Sequence, residues 1–224
     1  FQSESGMVKG CFSQVIASSR LLKLNISIMC LHILLMSTFV ALPGQLEAAG
    51  FAAANHWKIY LVTMLVSFVS VVPFIIYAEV KRRMKRVFLF CVALLLIAEI
   101  VLWGAGPHFW EQVLGVQIFF IAFNLMEALL PSLISKEAPA GYKGTAMGIY
   151  STSQFIGVAI GGALGGWVDG WFDSQTVFLA GALLAMVWLL VASTMQEPPY
   201  VSSLRIEIPE GVVLDDALQQ RLLQ

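Results

Sequence analysis

Apolar residues in this chain are grouped into six long runs that short polar connections separate. A helix needs about 20 apolar residues to cross a bilayer, and the runs have about that length. The pattern predicts six transmembrane helices, near residues 21–42, 57–77, 87–103, 113–134, 145–167 and 177–195. The connections hold the prolines, glycines and charges that are typical of turns, such as "PGQLEAAG" after the first run and "SKEAPAGYKG" after the fourth.

Composition supports a membrane protein, because 58% of the residues are hydrophobic and only 12% are charged. A soluble domain carries about twice that share of charge. The sequence has no GxSxG element, and its three histidines, His32, His56 and His108, are too dispersed for a zinc motif. We therefore expect a protein that is not an enzyme, with no catalytic residues, no metal, no cofactor and no nucleic acid partner.

The basic residues predict the orientation of the helices. With six spans, 12 of the 13 Lys and Arg residues fall on one side of the membrane and Lys58 alone falls on the other. The majority side holds Lys9, Arg20, Lys23, Lys81, Arg82, Arg83, Lys85, Arg86, Lys136, Lys143, Arg205 and Arg221. Since cytoplasmic loops are rich in Lys and Arg, we expect both ends of the chain to be cytoplasmic.

The fifth run is unusually rich in glycine. Gly157, Gly161 and Gly165 recur every four residues, and Gly162 and Gly166 form a second, adjacent ridge. Small residues let helix backbones approach closely in lipid, so all five glycines are predicted helix-packing residues. The spacing alone is equally consistent with static packing or dimerisation and with a contact that rocks in a transporter.

Ionisable residues inside spans are candidates for function. Glu127 and His32 are the candidates for proton coupling, and Glu99 is interpreted as structural. Gln117 and Asn124 lie on the same helical face as Glu127, at spacings of seven and three. Such a face suggests the wall of a water-filled cavity, although a structural hydrogen bond for Glu127 and a packing role for His32 remain open. The candidates for the substrate cavity are Asn25, Gln117, Asn124 and Gln154.

Three segments resemble a known family. The run "NLMEALLPSLISKEAPAGYKGTAMGIYSTSQFIGVAIGGALGG" resembles the tenth and eleventh helices of bacterial drug-efflux members of the major facilitator superfamily. The first span, "LLKLNISIMCLHILLMSTFVALP", is similar to their seventh helix. The tail "EPPYVSSLRIEIPEG" is similar to a junction between the twelfth helix and a cytoplasmic ferredoxin-like domain.

The resemblance implies an all-α membrane fold, namely the C-terminal half of a twelve-helix transporter built from two inverted three-helix repeats. Residues 1–20 would be a cytoplasmic interdomain linker with an amphipathic stretch, 21–196 the half-bundle, and 197–224 the start of a ferredoxin-like domain.

The implied function is proton-coupled efflux, by alternating access, of a small apolar or drug-like molecule across the bacterial inner membrane. The implied partners are the lipid bilayer, the N-terminal six-helix half, protons and the substrate. The alternative is a non-transporting membrane scaffold that associates through the glycine face.

Overall fold

A computed structural model of the chain describes residues 11–199, which form seven α-helices and no strand. The helices are α1 (Cys11–Ala17), α2 (Ser19–Ala48), α3 (His56–Val80), α4 (Met84–Ala105), α5 (Phe109–Glu137), α6 (Lys143–Trp171) and α7 (Ser174–Ser193). A 3-10 turn at Ala53–Asn55 precedes α3. The first half of the predicted linker and almost all of the predicted ferredoxin-like segment lie outside the described residues.

Helices α2 to α7 correspond one to one with the six predicted spans. Within the described part of the chain, five of them are long and apolar enough to cross a membrane. The exception is α6, which is 29 residues long but is made less apolar by its glycines and hydroxyl side chains. That α6 also crosses the membrane stays a prediction.

The helices pack around α2. Helix α6 lies against α2 along its length, α7 and α5 also contact α2, and α4 lies between α5 and α7. Helix α3 packs on α5 and barely touches α4. Most of the α3 surface is exposed, including Leu65, Phe68 and Val69, as expected for a helix that faces lipid.

The first predicted span ends too early, because α2 continues through Pro43 to Ala48. Proline removes one helical hydrogen bond, but the extra turns gain contacts with neighbouring helices. The amide of Gln112 donates to the backbone carbonyl of Gln45 at 2.9 Å, and the Gln45 amide donates to the carbonyl of Leu102 at 3.4 Å. These bonds join α2 to α4 and α5 where a loop was expected.

One of the two predicted glycine ridges is a helix contact. A Cβ built on Gly157 would lie 2.5 Å from the backbone oxygen of Met29, and one on Gly161 would lie 2.6 Å from that of Ile33. At Gly165, a Cβ would lie 2.7 Å from the Cα of Ser37. Because no side chain fits at these distances, glycine is required for α6 to lie directly on the backbone of α2.

The second ridge makes no contact within the described residues, so its packing role stays a prediction. A Cβ on Gly162 or Gly166 would meet no atom within 4 Å. The two ridges lie on different sides of α6, because one residue turns an α-helix by about 100°. Only the side that carries Gly157, Gly161 and Gly165 faces α2.

Candidate functional site

A histidine, a carboxylate and an amide from three helices meet inside the bundle. Nε2 of His32 on α2 lies 3.2 Å from Oε1 of Glu127 on α5. The same ring nitrogen lies 3.1 Å from Nε2 of Gln154 on α6. His32 is buried, with 5% of its side chain exposed, whereas 33% of the Glu127 side chain is exposed. The structure therefore brings together three residues that were selected separately from the sequence.

The glycine contact positions two of these residues. Gly157 of α6 lies against Met29 of α2. Gly157 comes three residues after Gln154, and Met29 comes three residues before His32. Because the α2 and α6 backbones touch here, the Gln154 amide reaches the imidazole of His32. A wider separation of the two helices would break this contact.

The backbone fixes the tautomer of His32. Its Nδ1 lies 3.1 Å from the carbonyl oxygen of Ile28, one turn earlier in α2. A carbonyl can only accept a hydrogen bond, so Nδ1 must carry a proton. In the neutral ring Nε2 is then an acceptor, and the Gln154 amide is placed to donate to it. In the charged ring Nε2 becomes a donor that faces Glu127.

Glu127 is not fully satisfied by this arrangement. Although Oε1 is 3.2 Å from the imidazole nitrogen, no donor is aligned with it for a hydrogen bond within the described residues. Four residues later, Pro131 lies inside α5 and supplies no N–H to the backbone carbonyl of Glu127. This turn of α5 therefore has a buried side-chain acceptor with no hydrogen bond among the described residues and a backbone carbonyl without its usual donor four residues later.

The residues around the site include an aromatic ring and buried polar atoms that have no hydrogen-bond partner among the described residues. The ring of Phe123 contacts His32 edge to face, with centroids 5.7 Å apart. The hydroxyl of Tyr150, on α6, is buried and has no hydrogen-bond partner among the described residues, and it lies near enough to Glu127 to interact electrostatically. Asn25, seven residues before His32, is also buried, and its side-chain oxygen lacks a partner among residues 11–199.

Two of the predicted cavity residues face a different helix. Gln117 donates to the carbonyl of Thr63 and to the hydroxyl of Ser67, both at 3.1 Å. The amide of Asn124 contacts the sulfur of Met64 at 3.1 Å. These two amides thus join α5 to α3, while Glu127, turned further around α5, contacts α2. The predicted common face of α5 is divided between two neighbours.

Glu99 occupies a second, closed environment. It is fully buried, and Oε1 accepts a hydrogen bond of 2.6 Å from the hydroxyl of Thr38. Its Oε2 has no hydrogen-bond partner among the described residues and lies against Gly181 of α7, where a Cβ would be 2.8 Å away. Glu99 therefore lies between α2, α4 and α7, as a structural role requires.

Sequence reasoning missed Thr38 as the hydrogen-bond partner of Glu99 and Tyr150 as a neighbour of Glu127. Tyr150 precedes Gln154 by one helical turn, so a search for polar residues at a spacing of four could have found it. Thr38 gives no comparable signal, because its partner lies 61 residues away on another helix. Within residues 11–199, no three His, Cys, Asp or Glu side chains are grouped as metal ligands would be.

Two ion pairs lie at the end of the bundle that carries residues 81–86. Arg20 pairs with Glu137 at 3.3 Å and also contacts the side chain of Gln196. Lys136 pairs with Glu79 at 3.2 Å, and Ser132 donates to the same carboxylate at 2.9 Å. These contacts link α5 to α2 and to α3.

Comparisons with known proteins agree with this architecture. Residues 24–219 match the family model of the Major Facilitator Superfamily. The chain is 75% identical over 221 residues to the inner membrane transport protein YajR of Escherichia coli, covering 99% of this chain and 49% of that protein. It is 41% identical over 128 residues to an uncharacterized transporter of Buchnera aphidicola subsp. Acyrthosiphon pisum, covering 57% of this chain and 33% of that protein.

A second transporter of Buchnera aphidicola, from subsp. Baizongia pistaciae, is 30% identical over 190 residues, or 81% of this chain and 46% of that protein. The chain thus spans about half the length, or less, of these curated relatives. The family match covers most of the chain and agrees with its bundle of long apolar helices. The chain belongs to the major facilitator superfamily of membrane transporters.

Proposed function

We propose that this chain is the C-terminal half of a proton-coupled antiporter that exports a small apolar or drug-like molecule. The observation that carries the proposal is the 3.2 Å contact between His32 and Glu127, with Gln154 at the same imidazole nitrogen. An ionisable pair inside apolar helices is costly and marks a functional site. A third of the Glu127 side chain is exposed, which gives the pair access to a cavity.

The pair can hold one exchangeable proton in two places. With the proton on Glu127, the acid can replace the Gln154 amide as the donor to Nε2 of a neutral His32, because that nitrogen accepts one hydrogen bond. With the proton on Nε2, an imidazolium faces a carboxylate. Both forms are neutral overall, whereas loss of the proton leaves one negative charge in an apolar setting, which is unfavourable. Proton binding and release therefore change the energy of this part of the bundle, as alternating access requires.

Helix contacts support the proposed pair of inverted repeats. If α2, α3 and α4 correspond to α5, α6 and α7, the contact of α2 with α6 corresponds to that of α5 with α3. The contact of α4 with α5 likewise corresponds to that of α7 with α2. All four contacts are present. Each half of such a fold needs the other to enclose the midplane site, so an N-terminal six-helix half is the proposed partner.

The proposed setting is the bacterial inner membrane, with both ends of this chain in the cytoplasm. Reporter fusions test this orientation: fusions at Gly50, Pro107 and Ser174 should report an external position, and fusions at Met84 and Ala140 a cytoplasmic one. An inverted pair would contradict the proposed orientation and leave the family assignment intact.

The transport proposal is tested with the full-length protein in liposomes. Addition of fluorescent apolar compounds to one side should move protons in the opposite direction, measured with a pH-sensitive dye. Folded protein that moves such a compound with no proton flux would contradict antiport.

The non-transporting scaffold has less support. Three of the five glycines lie against α2 inside the chain, so only Gly162 and Gly166 remain for a contact with another protein. A homodimer that Gly162→Leu dissociates, with no transport by either form, would favour the scaffold.

A further inference from the structure

A groove opens between α3 and α4 at the end of the bundle that carries residues 81–86. Its volume is about 430 Å³, and it is lined by Pro73, Phe74, Tyr77, Arg86, Val87 and Phe90. Apart from Arg86 and the hydroxyl of Tyr77, this lining is apolar. The groove is separate from the His32 and Glu127 site, since neither of its helices contributes a residue to that site.

The groove exists because the two helices diverge. Helices α3 and α4 make few contacts with each other, and the rings of Phe74 and Phe90 stack at a centroid distance of 5.5 Å. Both Tyr77 and Phe90 keep about two fifths of their surface exposed, at 40% and 44%. Apolar walls that are this exposed fit a hydrocarbon environment, because in water they would form a costly patch.

The rim of the groove is strongly basic. The connection between the helices and the first turn of α4 hold Lys81, Arg82, Arg83, Lys85 and Arg86 within six residues. Arg86 is exposed and its side chain makes no hydrogen bond or ion pair with another described residue, in contrast to Lys136, which pairs with Glu79. An unpaired guanidinium above an apolar groove is complementary to a ligand with an anionic head and an apolar tail.

We propose that this groove binds an anionic phospholipid of the bilayer. One acyl chain lies between α3 and α4 against Phe74 and Phe90, and the headgroup phosphate is bound by Arg86. Both helices are long and apolar enough to cross a membrane, so a phospholipid is the amphiphile that surrounds them. Basic residues beside membrane helices attract anionic headgroups, and a guanidinium can bind phosphate through two hydrogen bonds.

The test identifies the occupant directly. A photoreactive benzoylphenylalanine replaces Tyr77 in the full-length protein, which is reconstituted in phosphatidylethanolamine containing a minority of phosphatidylglycerol with matched acyl chains. After irradiation, mass spectrometry gives the ratio of the two lipids among the adducts. The same substitution at Trp103, at the opposite end of α4, measures the ratio at an ordinary lipid-facing position.

We expect phosphatidylglycerol adducts at Tyr77 to be enriched about fivefold over the bulk ratio, the factor that one basic residue supplies at a membrane surface. Arg86→Gln should remove the enrichment, and Lys58→Gln, an equal charge change at the other end of α3, should preserve it. Equal enrichment at Tyr77 and Trp103, equal loss in the two Gln variants, or adducts with peptides of the protein itself would each overturn the proposal.

A second measurement uses protein without the photoreactive group, because that group could itself disturb the groove. Native mass spectrometry of the wild-type protein, titrated with phosphatidylglycerol, should show a first binding step that Arg86→Gln weakens about fivefold and Lys58→Gln leaves unchanged. A first step that is equally strong for phosphatidylethanolamine would overturn the proposal.

Discussion

Two glutamates lie within apolar helices of this bundle, and their environments differ in every respect that matters for proton exchange. Glu99 is fully buried, accepts one hydrogen bond from Thr38 and faces no cation among the described residues. Glu127 is one-third exposed and lies 3.2 Å from the imidazole of His32. In the sequence both are single acidic residues in an apolar helix, so the difference arises entirely from neighbours on other helices.

We propose that Glu99 stabilises the fold, whereas Glu127 exchanges a proton. A charge without a partner is very unfavourable in an apolar interior, so the site of Glu99 suits the neutral acid. The carboxyl group of Glu99 is also buried away from water, with Gly181 and Thr38 packed against it. Glu127 has exposure, a basic partner and a free acceptor atom.

The largest expected effect is on the pH dependence of transport. If one proton is coupled, the transport rate of the wild type should change by up to about tenfold per pH unit on the limb where that proton is limiting. Glu127→Gln should flatten this slope because the amide cannot take up a proton, while thermal stability stays close to that of the wild type. Proton flux and substrate flux in liposomes of the full-length protein measure the slope. Thermal unfolding of the protein in detergent measures the stability.

The matched control is Glu99→Gln, which removes the same charge from the closed site. It should keep the slope of the wild type. A slope that is flattened by Glu99→Gln and kept by Glu127→Gln would reverse the assignment of the two residues.

The second effect is on stability and tests how the Glu127 site is held together. Gly161→Leu places a side chain where a Cβ alone would be 2.6 Å from the backbone of Ile33, so α6 must move away from α2. Overpacking commonly costs about 1–3 kcal/mol, and a contact with backbone should reach the upper end of that range. Thermal unfolding of the protein in detergent measures the loss.

Gly162→Leu provides the control for that substitution, because a Cβ at this next position meets no atom within 4 Å. It should leave the unfolding temperature nearly unchanged. If both variants unfold at the same lower temperature, the loss does not come from the α2–α6 contact.

The six helices could be predicted because each apolar run is long enough by itself to indicate a span. The candidate site could be predicted only in part. His32, Glu127 and Gln154 are each unusual within their own helix, but their meeting depends on the angles between three helices. A helical period of 3.6 shows which residues share a face but does not show which helix that face contacts. Gly161 contacts α2 whereas a Cβ on Gly162 would meet no atom within 4 Å, and Gln117 contacts α3 whereas Glu127 contacts α2.

A third effect, of intermediate size, is expected in the closed site. Thr38→Val removes the only hydrogen bond that Glu99 accepts from a described residue, at nearly constant volume. A buried polar group left without a partner costs about 1–3 kcal/mol, so thermal stability should fall while the pH slope of transport is unchanged. Thr63→Val is the control, since the Thr63 hydroxyl donates only to carbonyls of its own helix. Loss of coupling in Thr38→Val would place Glu99 in the proton pathway.

The smallest effect concerns an exposed carboxylate that extends the comparison beyond the membrane spans. Asp173 caps α7 and accepts hydrogen bonds from the hydroxyl and the backbone N–H of Thr176, at 2.6 and 2.7 Å. These bonds lower the pKa of Asp173 from its usual 3.8, and the bond from the hydroxyl has the larger effect. A lowered pKa in the folded state means that the charged form contributes stability above about pH 4, and that this contribution is lost as the pH falls through the folded value.

Asp173→Ala should therefore destabilise the protein by about 1 kcal/mol near neutral pH, the usual value of a helix N-cap, and by less below about pH 4. Asp173→Asn keeps an acceptor for the Thr176 N–H and should cost only a few tenths of a kcal/mol, with a weaker dependence on pH. Thermal unfolding at several pH values measures both variants. Neither should alter the pH slope of transport, because Asp173 lies in the connection before α7 and its donors come from that helix alone. A shifted slope in Asp173→Asn would show that a carboxylate outside the spans takes part in coupling. The difference between Glu127 and Glu99 would then not be sufficient to account for the pH dependence of transport.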